Sequence, residues 1–133
     1  MTTRTPDAEA PDDEGSVLLL TLGYALLAIA LVLVCVDATS LYLTQKRADA
    51  AADAAALAGA DGFTLTVEGG SASAQLTDEG VYDQASDIID ALGTATLVEA
   101  GTPDGVSARV RVETVWHPPV LTVFVPDGWT IEA

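Results

Sequence analysis

Twenty consecutive residues, Val17 to Val36, carry no charge and are dominated by Leu, Val and Ala. At the helical rise such a run is about 30 Å long, the thickness of a bilayer's hydrocarbon core. A chain of 133 residues has room for one small domain beside it, and a core of that size has no use for so long an uncharged helix. The run is therefore predicted to span a membrane. The helical pattern does not stop where polarity returns at Asp37. Nine of the thirteen residues from Ala48 to Ala60 are alanine, the strongest helix former. No proline interrupts the stretch, and Gly59 with Gly62 supplies the first C-terminal stop. The prediction is one continuous helix of about 65 Å, a membrane span continuing into an alanine-rich stalk.

Asp37 at the exit from the apolar run, Tyr42 beyond it, and the block Ala52-Asp53-Ala54-Ala55-Ala56-Leu57-Ala58-Gly59-Ala60 stand at a characteristic spacing. In these residues the chain resembles the N-terminal module of the TadE/TadG-like family, the pseudopilin or minor-pilin-like proteins of tight-adherence (Tad/Flp) pilus systems. The resemblance runs from Gly15 to Ala60, about a third of the chain, with Asp37, Tyr42, Asp53, Leu57 and Gly59 at its motif positions. It implies a pilin-like architecture, partners among other Tad-like pilus or membrane assembly subunits, and a C-terminal domain displayed outside the plasma membrane.

Three segments follow: an acidic leader over residues 1–14, the transmembrane and alanine-rich helix over 15–60, and a small domain over 61–133. The net charge is −15 and unevenly spread. Residues 1–14 hold one arginine against five acids, and residues 61–133 two arginines against twelve. An acidic exterior repels phosphate backbones, which excludes nucleic acid as a partner and disfavours anionic head groups. It keeps the domain soluble. Cys35 is the sole cysteine, so no intrachain disulfide forms. It lies deep in the apolar run without small residues before it, and reads as an apolar cysteine rather than a lipidation site.

The leader, with two prolines and no large apolar residue beyond Met1, reads as disordered. It is a poor secretory n-region, which would be basic. Gly15-Ser16 offers a prepilin-peptidase type of cut, since a glycine directly before an apolar helix is what that peptidase recognises. Cleavage there would put Leu20 at the fifth mature position, where type IV pilins carry glutamate; an uncleaved signal anchor is the alternative. Orientation is contested. Lys46 and Arg47 follow the span while the N-terminal side is net acidic, so the positive-inside rule alone places the C-terminal domain in the cytoplasm. The family resemblance places it outside. Both basic residues lie well beyond the run, and Lys46 stands three residues from Asp49 as a helix-surface partner. We take the outward orientation.

Gly23, Ala25 and Ala28 keep the membrane segment slender, and Ala51, Ala55 and Ala58 do the same beyond it. Small residues let helices approach closely, so both groups are read as packing against partner subunits, sister copies included. Asp49 and Asp53 lack a third ligand and read as a solvated or Lys46-paired face rather than a metal site.

After Gly62 the period changes. Phe63 to Val67 alternates as a strand ended by Gly69-Gly70, while Ser71 to Leu76 is indeterminate. Thr77-Asp78-Glu79 starts a helix with Val81, Ala85, Ile88, Ile89 and Leu92 along one face, closed by Gly93. Thr94 to Ala100 reads as a strand and Gly101 to Gly105 as a turn. Val106, Ala108, Val110 and Val112 alternate with polar residues as the clearest strand. Leu121, Val123 and Val125 form another after Pro118-Pro119, and Thr130-Ile131 an edge. The fold class is α+β: the long N-terminal helix, then a small antiparallel sheet with one helix.

No catalytic constellation emerges. His117 is the only histidine and has no nucleophile or base beside it. No phosphate-binding glycine loop is present, and no cofactor is implied. Asp83, Asp87 and Asp90 read as a solvated face, and Trp116, Trp129 and Phe124 as packing residues. Two functions remain. One is a non-enzymatic, membrane-anchored, pilin-like component of a Tad-type pilus or secretion assembly, working through helix packing with partner subunits in the lipid bilayer. The other is a single-pass sensor or accessory protein whose extracytoplasmic domain binds a ligand or envelope partner. A secretion ATPase and a prepilin peptidase encoded nearby would favour the first.

Overall fold

The computed structural model describes Met1 and residues 13–133; residues 2–12, most of the segment read as an acidic leader, lie outside the described residues. Helix α1 runs without a break from Asp13 to Asp61. The chain divides into two units, Met1–Cys35 and Val36–Ala133, so the dividing line falls within α1.

In the first unit every side chain of α1 from Gly15 to Cys35 is exposed. A helix apolar on all sides has no inner face to bury against its own chain, and it suits surroundings that are themselves apolar. The helix is long and apolar enough to cross a membrane. Thr21 turns its hydroxyl back on the Val17 carbonyl at 2.8 Å, which satisfies the hydroxyl within the helix.

In the second unit the rest of α1 packs into an α+β fold. A hairpin follows it, β1 (Thr64–Glu68) with β2 (Ser71–Gln75), antiparallel and paired from Thr64↔Gln75 to Glu68↔Ser71. Gly69 and Gly70 make the two-residue turn with φ of 60° and 87°, the left-handed pair that a tight hairpin needs and that glycine adopts freely. Helix α2 (Asp78–Leu92) comes next. Its start was readable: the Thr77 hydroxyl accepts the Gly80 N–H at 3.1 Å, and Asp78 and Glu79 occupy the first turn. Gly93 ends it at φ 61°, donating its N–H to the Ile89 carbonyl at 2.9 Å.

A second sheet has the order β3-β4-β5, all antiparallel, from β3 (Thr96–Gly101), β4 (Arg109–Trp116) and β5 (Trp129–Glu132). Central β4 turns Val112 into the core and Arg109 and Arg111 outward. Ala133 extends the edge by exchanging both backbone hydrogen bonds with Val112, at 2.9 and 3.0 Å. The core gathers Ala51 and Ala55 of α1, Ala85 and Ile89 of α2, and Val112 of β4. The antiparallel sheet is thus two small ones rather than one, and α1 shares the core with the single later helix.

Two strand expectations need correction. Leu121, Val123 and Val125 form no strand; the segment is a turn in which the Phe124 and Val125 N–H groups both donate to the Leu121 carbonyl, at 2.9 and 3.0 Å. Those donors are taken locally and are not free to enter a ladder. Val106 and Ala108 precede β4 rather than belonging to it. The Asp104 carboxylate accepts the N–H groups of Val106 and Ser107, at 3.0 and 2.7 Å, and the Ser107 hydroxyl at 2.9 Å. These bonds hold the Asp104 carboxyl below the usual carboxylate range, the Ser107 N–H foremost.

Candidate functional site

The side chains with chemistry to spare lie along α1 just beyond the apolar run, and the helix sorts them onto two faces. At 3.6 residues per turn, Asp37, Ala48, Ala51, Ala55 and Gly59 fall on one stripe, and all of them are buried. Tyr42, Lys46, Asp53 and Leu57 fall on the opposite side. There Tyr42, Asp53 and Leu57 are exposed.

Asp37 anchors the inner stripe. It is 7 % exposed, and its Oδ1 accepts the backbone N–H of Val120 at 3.2 Å. One turn on, the Trp116 indole N–H donates to the Ser40 hydroxyl at 3.1 Å. Together these two bonds hold the end of β4 and the Pro118–Val120 segment against the helix, and Pro118 is fully buried. Asp37 Oδ2 is also buried and accepts no hydrogen bond from the described residues. At the other end of the stripe, Gly59 meets α2: a Cβ there would lie 2.9 Å from Val81 Cγ1 and 3.4 Å from the Val81 carbonyl oxygen. Glycine lets the helices touch at this point. A Cβ on neighbouring Gly62 would lie 2.7 Å from the Gly80 carbonyl, so the backbones themselves are in contact.

The outer face carries one paired polar cluster, centred on Asp49. Lys46 Nζ donates to Asp49 Oδ2 at 2.9 Å, and Gln45 donates to Asp49 Oδ1 at 3.0 Å. The Lys46 bond, with Gln45 adding to it, lowers the Asp49 pKa from its ordinary value, and the same bond raises that of Lys46. Lys46 also stands 6.0 Å from the centre of the Tyr42 ring, within reach of a weak cation–π attraction.

The predicted packing residues divide in the same way. Ala51 and Ala55 are buried against this chain's own α2 and β4, so their methyl groups are not open to a partner, while Ala58 is half-buried. Gly23, Ala25 and Ala28 are exposed in the first unit. Gly23 and Ala25, two positions apart, point to nearly opposite sides of the helix and do not form one stripe. Gly15 and Ser16 are exposed within the first turns of α1. Sequence reasoning missed the roles of Ser40, Trp116 and Val120 around Asp37. No sequence signal pointed to them; the need appears only once Asp37 is seen to be buried, since such a group then requires a donor. Phe124 and Trp129, read as packing residues, are largely exposed. Among the described residues no group of acids, histidines and cysteines is placed to hold a metal.

No curated protein and no solved structure matches the chain. Residues 15–62 match the family described as "Putative Flp pilus-assembly TadE/G-like". The matched segment ends where α1 ends, and it contains both the apolar run and the two-faced stretch beyond it. Over those residues, a little over a third of its length, the chain is similar to that pilus-assembly family.

Proposed function

We propose that this chain is a non-enzymatic, membrane-anchored, pilin-like component of a Tad-type pilus or secretion assembly. The observation that carries the reading is the coincidence of the matched family segment with one unbroken helix whose N-terminal part is apolar on all sides. Val17–Val36 anchors the chain as an uncleaved single-pass span, and the unit from Val36 onward stands outside the cell. Partner subunits meet the exposed helix surface, because the inner stripe is occupied by the chain's own fold. The motif residues available to them are Tyr42, Asp53 and Leu57. Asp37 and Gly59 serve instead to hold the small domain on the helix.

In a cell carrying the Tad apparatus, loss of this chain is expected to abolish surface pili. A Tyr42→Glu/Leu57→Glu variant should insert and fold, since both side chains are exposed, yet fail to restore them. Full restoration by that variant would remove the outer face as the partner surface. Normal piliation without the chain would remove the assembly role itself.

A further inference from the structure

We infer that the loop after β4, residues 118–125, is a second membrane contact, with Leu121, Val123 and Phe124 lying in the interfacial layer of the bilayer that Val17–Val36 spans. This inference rests on the anchoring reading above. The depth of the loop follows from one bond: Val120 N–H donates to Asp37 Oδ1 at 3.2 Å. Asp37 is the residue directly after Val36, the last of the apolar run. Val120 is therefore held where the chain leaves the hydrocarbon, and the Trp116–Ser40 bond at 3.1 Å fixes the adjoining strand end one turn further out.

The loop has the chemistry for that layer. No carboxylate, lysine or arginine occurs from Val115 to Pro126, in a domain otherwise rich in acids. Val123 and Phe124 are 85 % and 81 % exposed, an arrangement that water disfavours and the acyl boundary rewards. The turn satisfies two of its own N–H groups on the Leu121 carbonyl, which lowers the cost of placing backbone near lipid. Exposed Trp129, paired with Trp116 across the ladder, lies at the strand end held on Ser40, where aromatic residues collect at membrane surfaces. Continuity with the span makes the occupant lipid rather than a second protein.

Spin-label depth measurement tests this on the full chain, with Cys35→Ala as background, in phosphatidylcholine vesicles. Nitroxides are placed singly at Phe124→Cys, at Val32→Cys within the span, and at Val106→Cys, beyond the opposite end of β4. An eight-residue strand sets those ends about 25 Å apart. Labels at 32 and 124 are expected to collide with oxygen several-fold more, relative to a soluble nickel chelate, than the label at 106. A label at 124 that behaves like 106, with 32 still in lipid, overturns the loop contact and leaves the anchor standing. If 32 also behaves like 106, the anchor falls and the loop contact with it. A label at 124 shielded from both reagents marks a protein partner and overturns the lipid assignment.

Discussion

Asp37 is a carboxylate asked to do a backbone's work. The Val120 N–H belongs to no strand and meets the aspartate instead; without it, that part-buried donor would lose its acceptor. Asp37→Ala leaves that donor unmet and should lower the stability of the Val36–Ala133 unit by about 1–3 kcal/mol, even though alanine favours the helix. Asp37→Asn keeps an acceptor in place and should recover most of the loss. Thermal unfolding of the detergent-solubilised protein, followed through the two tryptophans, separates the two variants. Equal melting of Asp37→Ala and the parent protein would mean that the bond carries no stability.

Helix α1 is legible from the sequence over nearly its whole length because its signals are local: an uncharged run, then alanine, then a glycine stop. The Thr77 cap and the Gly93 terminus of α2 are legible for the same reason. What escaped is decided across the chain. Asp37 and Val120 are 83 positions apart, and nothing at either end names the other. The alternation at Leu121–Val125 imitated a strand because period two arises in a turn as readily as in a ladder, and only the Leu121 carbonyl distinguishes them. The alanine face was likewise visible, but whether it meets its own chain or another is a tertiary matter. Since it meets α2 and β4, Ala55→Leu should destabilise the isolated protein by about 1–3 kcal/mol through overpacking, before any partner is involved. Gly59→Leu should act in the same direction against Val81. Leu57→Ala, on the exposed face, should stay within about 0.5 kcal/mol. Chemical denaturation in micelles measures all three, and an undisturbed Ala55→Leu would show that the face is not packed in solution.

At the scale of the molecule, anchoring and domain folding are separable in one direction only. A chain ending at Ala60 retains the whole apolar run, in which each central Leu, Ile or Val contributes roughly −0.3 to −0.6 kcal/mol to insertion. It should fractionate with membranes and resist carbonate extraction at high pH; a soluble product would refute the span. The converse does not hold, because a domain beginning at Asp61 lacks Ala51 and Ala55 and has a hole where its core should be. That sharing sets a timetable for biosynthesis. The helix leaves the ribosome first, and Ala51 must wait some 60 residues for Val112, about 3–12 s at ordinary elongation rates. A leucine face kept waiting that long would invite chaperones and neighbouring nascent chains. Methyl groups offer them little to grip, so alanine serves the newborn chain as a holding state that is inert until its own strand arrives.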